Sequence, residues 1–406
     1  MSKRRKYDLI IWGATGFTGR LVAEYIFKQY GTNGDLKWAV AARNPEKLEK
    51  IRAEVADNSV PMIIADSMDE ASLGSMVQQT KVICTTVGPY AKYGSKLLAA
   101  CVAHQTDYCD LTGEVQWMRR MIDTHHTTAA ANGTKIVHTC GVDSIPSDIG
   151  VHFVQQAAIE RTGQPAQWVR MRVAGFSGGI SGGTYASLNN VMAEAAKDKA
   201  VYKVLSNPYG LNPKGEQSGS DQRDLSTVKY EKATDLWIYP FIMAGINTKV
   251  VRRSNALQNY PYGKDFRYDE AMIGGEGMSG RIKSYIAGGV LGILFTGKEG
   301  SLQKQLVNRL LPKPGEGPSK STRENGYYKF KFFTTLSDGS EMLGIVTGDR
   351  DPGYGSTSKM LAESAICLAK DELSEVGGIL TPAVAMGDAL LKRLQNHAGL
   401  TFSIAN

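Results

Sequence analysis

Three glycines near the start of the chain have the spacing of a nucleotide-binding loop. They follow the apolar run 9–12 and precede a helix-like stretch, 20–30. Glycine lets the backbone turn tightly and lets main-chain N–H groups approach a pyrophosphate at the positive end of a helix. An ordinary glycine-rich turn is the alternative. The residues predicted to hold the phosphates are Gly13, Thr15, Gly16, Phe17, Thr18 and Gly19.

The residue after the next strand-like run, 38–42, indicates which dinucleotide binds. Loops that bind NAD carry an acidic residue here, which accepts the ribose hydroxyls, whereas this chain has Arg43. A guanidinium makes bidentate contacts with a 2′-phosphate, and Lys47 adds a second cation one helical turn later. NADP(H) is therefore the predicted cofactor, unless Arg43 is only a solvated loop residue.

Two later loops are predicted to complete the cofactor site. Ligands of open α/β sheets bind at the carboxyl ends of the strands, where these loops lie. Asp66 and Ser67 are expected beside the adenine ring. The second loop is expected beside the nicotinamide ribose or the substrate, with a plain turn as the alternative. Its residues are Thr86, Val87, Gly88, Pro89 and Tyr90.

Hydride transfer also needs an acid that protonates the product. Tyr93, Asp110 and Asp143 follow predicted strands at the same sheet edge and are the catalytic candidates. Glu114 and Asp148 lie in the same region, and helix capping is the alternative role for each carboxylate. No metal site is predicted, because Cys101, His104 and Cys109 lack a second close pair that would complete a tetrahedral set.

These loops require a parallel sheet that brings them together. Strand-like runs alternate with helix-like segments through the first 140 residues, which predicts a doubly wound Rossmann domain over 1–150. Beyond it, runs with alternating burial predict an α+β substrate or dimerisation domain over 151–350, with a mainly antiparallel sheet. The last segment, 351–406, is predicted to form helices that return to the first domain. The predicted strands are 9–12, 38–42, 62–65, 82–87, 107–111, 135–140, 168–176, 327–336 and 342–348.

Composition excludes several classes of protein. The 406 residues are 42% hydrophobic and 21% charged, which fits neither a disordered chain nor a many-helix membrane protein. The net charge of +7 is small for a nucleic-acid binder. Five cysteines, an odd number that mostly falls in apolar runs, indicate a reducing compartment, and no secretory signal pattern is seen. A cytoplasmic protein is expected.

Several short blocks, taken together, resemble the saccharopine dehydrogenase-like oxidoreductases, a family that includes the trans-acting enoyl reductases. The resemblance implies an NADP-binding Rossmann domain joined to an α+β domain, and reduction of a hydrophobic or lipid-linked substrate such as an enoyl group. The blocks are WGATGFTG at 12–19, AAR at 41–43, VGPY at 87–90, YCDLTGE at 108–114, DSIPSD at 143–148 and GGILTPA at 377–383.

Two other functions stay open from the sequence. A reductase of imines or amino-acid adducts, of the saccharopine type, would need cations that bind carboxylates. A non-catalytic NADP-binding protein associated with a membrane is the second alternative, because no proton donor is unmistakable. The arginines available for a cationic pocket are Arg170, Arg172, Arg252 and Arg253.

Two apolar segments of the second domain, 237–246 and 284–296, are irregular and too short to span a bilayer. Burial in the core is the default interpretation. However, Arg281, Lys283 and Lys298 flank the second segment, as expected of a surface that rests on lipid. We therefore expect these segments to form an apolar mouth that admits an acyl chain or contacts a membrane peripherally. A homodimer is a further option.

Overall fold

The computed structural model describes residues 5–55, 57–178, 182–296 and 317–405. Within these ranges the strands form two sheets. The strands are β1 (Tyr7–Trp12), β2 (Trp38–Ala42), β3 (Met62–Ile64), β4 (Thr80–Thr85), β5 (Asp107–Cys109), β6 (Lys135–Val137), β7 (Trp168–Ser177), β8 (Lys229–Glu231), β9 (Leu236–Tyr239), β10 (Arg267–Gly275), β11 (Tyr327–Thr335), β12 (Glu341–Gly348), β13 (Gly378–Leu380) and β14 (Leu400–Ala405).

Helices cover the first sheet and pack between the two sheets. None of the described helices is long and apolar enough to cross a membrane. A short π-helical turn, Pro352–Ser356, precedes α13. The helices are α1 (Phe17–Tyr30), α2 (Pro45–Val55), α3 (Glu70–Val77), α4 (Tyr90–Tyr93), α5 (Ser95–His104), α6 (Val115–Asn132), α7 (Ile145–Thr162), α8 (Gly182–Lys197), α9 (Lys199–Ser206), α10 (Ala244–Leu257), α11 (Gly277–Thr296), α12 (Lys320–Glu324), α13 (Thr357–Lys370), α14 (Pro382–Ala385) and α15 (Gly387–Asn396).

The first sheet is parallel, with strand order β13-β6-β5-β4-β1-β2-β3. Every residue of β1 and β2 is buried, as is typical of strands covered by helices on both faces. Strands β2 and β3 extend the sheet on one side of β1, and strands β4, β5 and β6 extend it on the other side. The crevice at which such sheets bind ligands therefore lies between β1 and β4. The predicted doubly wound Rossmann fold is confirmed.

Four strands of this sheet, β3 to β6, end earlier than the sequence predicts, and the difference at β5 and β6 bears on the site. The predicted runs reach residues 111 and 140, whereas β5 and β6 end at Cys109 and Val137. Beyond each strand, a backbone N–H group, that of Thr112 after β5 and that of Thr139 after β6, donates to the carboxylate of Asp110. The residues beyond the strand ends therefore form loops at the carboxyl edge.

The second sheet is mainly antiparallel, as predicted, with strand order β14-β12-β11-β7-β10-β9-β8. One pair, β7 with β10, is parallel. Along β11 the side chains of Tyr328, Phe330 and Phe332 are buried, and they alternate with residues that are more exposed. This period of two gives the sheet one face that packs on helices.

Helix α7 connects the two sheets. It begins in the loop at the carboxyl edge of the first sheet and packs against β11, β12 and β14 of the second. The helix backbone approaches β11 closely at Gly150, where an added Cβ would lie 2.5 Å from Cζ of Phe332. The loop that follows β6 is therefore joined directly to the helix that holds the second sheet.

The C-terminal segment contributes to both sheets. α13 packs against β1, β4 and β5, and β13 adds to the edge of the first sheet beside β6. The last of the helices predicted within 351–406 is interrupted, because α14 ends at Ala385 and Gly387 has a left-handed φ of 39°. The prediction also lacked β14, which pairs with β12 of the second sheet. Leu400 and Phe402 are buried on one face of this strand.

The contact between α7 and β11 gives a prediction about stability. We expect Phe332→Ala to lower the free energy of unfolding by about 3–5 kcal/mol, because the fully buried ring leaves a cavity against the helix. Tyr202→Ala is the control, since the Tyr202 side chain is exposed and its loss should change stability by less than about 0.5 kcal/mol. Urea denaturation measures both, and equal midpoints for the two variants would contradict the prediction.

Candidate cofactor and substrate site

The glycine loop joins β1 to α1 with little space around its backbone. Gly13 has a left-handed φ of 90°, and an added Cβ there would lie 2.6 Å from Cγ2 of Val87. An added Cβ at Gly19 would lie 2.2 Å from the carbonyl oxygen of Gly13. The backbone N–H of Gly16 closes the turn by donating to the same carbonyl at 2.9 Å. Side chains larger than glycine are therefore excluded where the helix meets the strand.

The amino end of α1 is open to an anion. The helix begins at Phe17, its cap residue Gly16 has no side chain, and its first turn contains no acidic residue. The first N–H groups of a helix have no partner within the helix, and the helix dipole is positive at this end. Thr15 and Thr18 lie half-buried beside these groups. This arrangement suits a pyrophosphate.

The cations expected to select the cofactor lie at the end of β2. Arg43 and Lys47 are both exposed, and neither side chain forms an ion pair or a hydrogen bond with the described residues. The side chain of Asn44 accepts a hydrogen bond of 2.8 Å from the backbone N–H of Lys47 and so begins α2. Both cations therefore remain available to a ligand phosphate.

The loop after β3 is held by its own polar residues. Asp66 is half-buried, and its side chain accepts a hydrogen bond of 2.8 Å from the backbone N–H of Met68. The backbone N–H of Asp66 donates to the Ser72 hydroxyl at 3.0 Å. Ser67 is half-buried in the same turn. The two predicted residues lie at the carboxyl edge, one strand beyond Arg43.

The loop after β4 contacts the glycine loop. The Thr86 hydroxyl donates to the carbonyl oxygen of Gly13 at 3.3 Å, and Val87 packs against the same glycine. Gly88 is exposed and Pro89 is half-buried. Two loops of the predicted cofactor site therefore meet in the structure, on either side of the crevice between β1 and β4.

Tyr90 supports this loop from within the core. Its hydroxyl donates to the carbonyl oxygen of Thr85 at 3.1 Å and accepts from the backbone N–H of Leu111 at 3.2 Å. Its ring stacks on Trp117 with 5.6 Å between centroids. Because the side chain is buried and its hydroxyl is satisfied, the structure assigns Tyr90 to positioning and not to direct contact with a ligand.

Asp110, one of the catalytic candidates, is fully buried and occupied by internal partners. Its carboxylate accepts hydrogen bonds from the Tyr108 hydroxyl at 2.8 Å and from the backbone N–H groups of Thr112 and Thr139 at 3.0 and 3.2 Å. Nδ1 of His138 lies 2.8 Å away. Asp110 thus ties the loops after β5 and β6 together and has no side open to a substrate.

Two other carboxylates act as helix caps. Glu114 accepts hydrogen bonds from the backbone N–H groups of Tyr90 and Ala91, at 2.7 and 3.0 Å, and so caps α4. Asp148 accepts from the backbone N–H of Ala383 at 2.8 Å, in α14. Burial raises the pKa of Glu114, and it raises that of Asp148 to about 7. Helix capping thus describes the backbone contacts of these acids, and Asp148 also accepts a hydrogen bond from the Ser254 hydroxyl.

Asp143 is the candidate that borders a cavity. It follows β6 at the carboxyl edge and is the one acidic residue among the described residues that line a space of about 400 Å³. Burial raises the pKa of this carboxyl to about 6, and the negative charge of Asp110 adds to the effect. Tyr93 is exposed on α4 and does not line the cavity.

The walls of this cavity are apolar and come from distant parts of the chain. Both apolar segments singled out in the sequence contribute, 239–243 and the inner side of α11. Further wall residues come from β7, β10 and β11, which sequence reasoning did not connect with a site. The alternation of buried residues along β11, with Tyr328 and Phe330 in the lining, was the available signal. The apolar lining includes Val173, Phe176, Phe241, Met272, Leu291 and Phe330.

The cavity and the glycine loop share a structural element. Pro352 and Gly353, in the π-helical turn, line the cavity. Tyr354 of the same turn packs edge-on against the ring of Phe17, with 4.6 Å between centroids. The cofactor loop and the apolar space are therefore neighbours, which is the arrangement that transfer of a hydride between two bound molecules requires.

The cavity contains one further polar group of interest. The hydroxyl of Tyr239 forms no hydrogen bond within the described ranges, and burial raises its pKa. Tyr328 also lines the space, but its hydroxyl shares a hydrogen bond of 3.0 Å with Ser356. Tyr239 therefore has a free hydroxyl that can hydrogen-bond to a carbonyl group of a bound molecule.

The four arginines that could have formed a cationic pocket lie outside the cavity lining. Arg172 pairs with Glu231 and Asp269 in the second sheet. Arg252 pairs with Asp221 at 2.8 Å. Arg253 donates to backbone carbonyl oxygens, and Arg170 stacks on Trp168. A substrate with free carboxylates therefore finds none of these cations in the apolar space.

Comparisons with known proteins agree with this geometry. Residues 9–137 match the model of the saccharopine dehydrogenase NADP binding domain. A Mycobacterium tuberculosis (strain H37Rv) protein, provisionally named a trans-acting enoyl reductase, is 41% identical over 96% of both chains. The protein named trans-acting enoyl reductase from Mycobacterium ulcerans is 38% identical, over 97% of this chain and 96% of its own.

A solved structure resembles the whole chain. Saccharopine dehydrogenase (L-Glu forming) from Saccharomyces cerevisiae, in its apo form, superposes with a TM-score of 0.55 over 98% of this chain and 99% of its own. The sequences are 11% identical, so this likeness concerns the fold alone.

The crowding around the glycine loop gives a prediction about cofactor binding. We expect Gly13→Ala to weaken binding of NADPH or NADH by at least about tenfold, because the methyl group meets Val87 and the left-handed backbone disfavours alanine. Isothermal titration calorimetry measures the loss. Gly163→Ala is the matched control, since Gly163 also has a left-handed φ, of 71°, but has no neighbour within 4 Å of its added Cβ. Equal affinities in the two variants would contradict the prediction.

Proposed function

Because this chain belongs to the saccharopine dehydrogenase-like oxidoreductases, the family that includes the trans-acting enoyl reductases, we propose that it uses NADPH to reduce an enoyl group on a hydrophobic, lipid-linked acyl chain. The apolar cavity beside the glycine loop is the observation that carries this proposal. An acyl chain fits such a lining because burial of its methylene groups is favourable and requires no polar partner.

The residues around the crevice fit the cofactor. The open amino end of α1 suits the pyrophosphate, and Arg43 with Lys47 suits a 2′-phosphate. Thr86 and Val87 border the glycine loop on the side of the crevice. When bound, the reduced nicotinamide supplies a hydride to the acceptor. Asp66 and Ser67 complete the proposed set on the adenine side.

Asp143 is the proposed proton donor. Saturation of a carbon–carbon double bond next to a carbonyl needs one hydride at the β-carbon and one proton at the α-carbon. A carboxyl with a pKa near 6 is neutral in a useful fraction of molecules near neutral pH. The free hydroxyl of Tyr239 is suited to accompany it by donating to the carbonyl oxygen, where negative charge develops during the reaction.

The observations favour this reaction over the reduction of an amino-acid adduct. An amino-acid substrate brings carboxylates, and these bind to arginine or lysine when they are removed from water. The cavity is lined mainly by apolar residues, its lining contains no arginine or lysine among the described residues, and the four arginines considered for this role are engaged elsewhere. An uncharged, hydrophobic acceptor is therefore the better fit.

The proposed choice of NADPH can be tested at Arg43. We expect NADPH to raise the melting temperature more than NADH at matched concentrations, because ligands that prefer the native state stabilise it by mass action. Arg43→Ala should weaken NADPH binding by about 10–100-fold, since a charge-assisted contact is lost, and leave NADH binding unchanged. Arg161→Ala, at an exposed arginine on α7, is the control. The assignment fails if Arg43→Ala weakens binding of both nucleotides equally.

The role of Asp143 can be tested through the pH dependence of the reaction. The neutral form donates the proton, so kcat with enoyl thioesters should fall as the pH rises above about 6. We expect Asp143→Asn to lower kcat by about 10²–10⁴-fold and to remove this dependence. The rate of NADPH oxidation, monitored through the absorbance of NADPH, measures both effects.

Asp148→Asn is the control for this experiment. Asp148 has a pKa of about 7 and lies outside the cavity lining, so its variant should keep the profile of the unmodified enzyme. An unchanged pH profile in Asp143→Asn would show that another group donates the proton.

A further inference from the structure

Helix α11 is apolar on two opposite sides. Its inner side, with Ala287 and Leu291, lines the cavity. Its outer side exposes large apolar side chains: Met278 at 66%, Ile282 at 54%, Ile286 at 65% and Val290 at 51%. With about 3.6 residues per turn, these residues lie along one side of the helix. Soluble proteins rarely expose a continuous apolar surface of this kind unless it binds something.

Cationic residues border this surface. α11 contains two charged residues, Arg281 and Lys283, and both are exposed. At about 100° per residue they lie on opposite sides of the apolar stripe. Their long aliphatic stems can follow apolar surface while the charges stay at a polar boundary. The edges of the stripe therefore suit the negative charges of phospholipid headgroups.

An aromatic cluster lies beside the same surface. The rings of Tyr230 and Trp237 are 5.5 Å apart, and those of Trp237 and Tyr285 are 6.3 Å apart. The guanidinium of Arg281 lies 5.3 Å from the Trp237 ring. Tryptophan and tyrosine with a nearby cation are the side chains that occupy the boundary between acyl chains and headgroups.

We propose that the outer side of α11, with this aromatic cluster, seats the protein on the surface of a bilayer that contains anionic phospholipids. None of the described helices crosses the bilayer in this arrangement, and the apolar side chains enter only the headgroup and upper acyl region. The docking surface does not depend on the reaction proposed above. It does explain why one helix is apolar both towards the cavity and towards the outside.

A second copy of the chain is a less suitable occupant. A twofold interface brings the same patch of both copies together, so it would contain Arg281 and Lys283 of both copies. α11 has no acidic residue that could pair with them. Anionic headgroups provide a complementary charge that α11 of a second copy lacks.

The proposal also places the bilayer next to the cavity. Val290 is exposed on the outer side and also lines the cavity, and Ala287 and Leu291 continue the wall inward. An acyl chain that leaves the bilayer beside α11 would remain in contact with apolar side chains along this wall. The free energy of exposing such a chain to water, about 0.8 kcal/mol for each methylene, is thereby avoided.

Flotation of the full chain with vesicles tests the proposal. The vesicles are phosphatidylcholine alone or phosphatidylcholine mixed with phosphatidylglycerol. We expect the protein to float with the mixed vesicles and more weakly with the neutral ones. Ile286→Asp should lower the partition coefficient by about tenfold, because a charge replaces an apolar anchor. Ile286 is chosen because it does not line the cavity, whereas Leu291 does.

Matched variants separate this effect from general damage to the fold. Val376→Asp places the same charge at a valine of 52% exposure outside α11 and should float like the unmodified chain. Ile282→Asp is a second variant on the proposed surface. Lys283→Glu should abolish the preference for anionic vesicles. Stabilisation of each variant by NADPH confirms that its fold is intact.

Three results would overturn the proposal. The first is an unmodified chain that stays at the bottom of the gradient with the mixed vesicles. The second is flotation of Ile286→Asp and Ile282→Asp equal to that of the unmodified chain. The third is a dimer in sedimentation experiments that these variants convert to a monomer without any flotation, which would identify a second copy as the occupant.

Discussion

The buried carboxylate of Asp110 is the interaction on which the geometry of the site depends. Its partners belong to the ends of two neighbouring strands, β5 and β6, and to the loops after them. Hydrogen bonds to a charged group contribute about 1.5–3 kcal/mol each, and a buried donor left without its acceptor is destabilising. The loop that carries Asp143 therefore has a fixed starting point at the end of β6.

The cofactor half of the site could be predicted from the sequence because its signals are local. Glycine spacing, the neighbouring strand and helix, and the cation at Arg43 all lie within short segments. The glycines have a physical reason visible in the structure, since an added Cβ at Gly13 or Gly19 would overlap neighbouring atoms. The same locality explains why the alternation of strands and helices in the first domain was predictable.

The substrate half of the site was less predictable, because the role of each candidate side chain depends on whether the folded chain encloses it or leaves it at the cavity. Asp110 and Asp143 have similar positions after neighbouring strands, and only the tertiary structure shows that one is enclosed and the other borders a cavity. Tyr90 and Tyr93 differ in the same way, one enclosed and the other exposed. The cavity walls from β7 and β11 come from strands more than a hundred residues apart in the chain.

The apolar character of the cavity has two consequences that support each other. A lining that excludes water suits an acyl chain, and the same lack of water favours the neutral form of Asp143 by raising its pKa. A more polar wall would bind the chain less well and would also lower the fraction of molecules with the proton in place. Substrate preference and proton donation therefore both depend on the apolar character of the lining. α11 contributes apolar side chains to this lining and also exposes apolar side chains on its outer side.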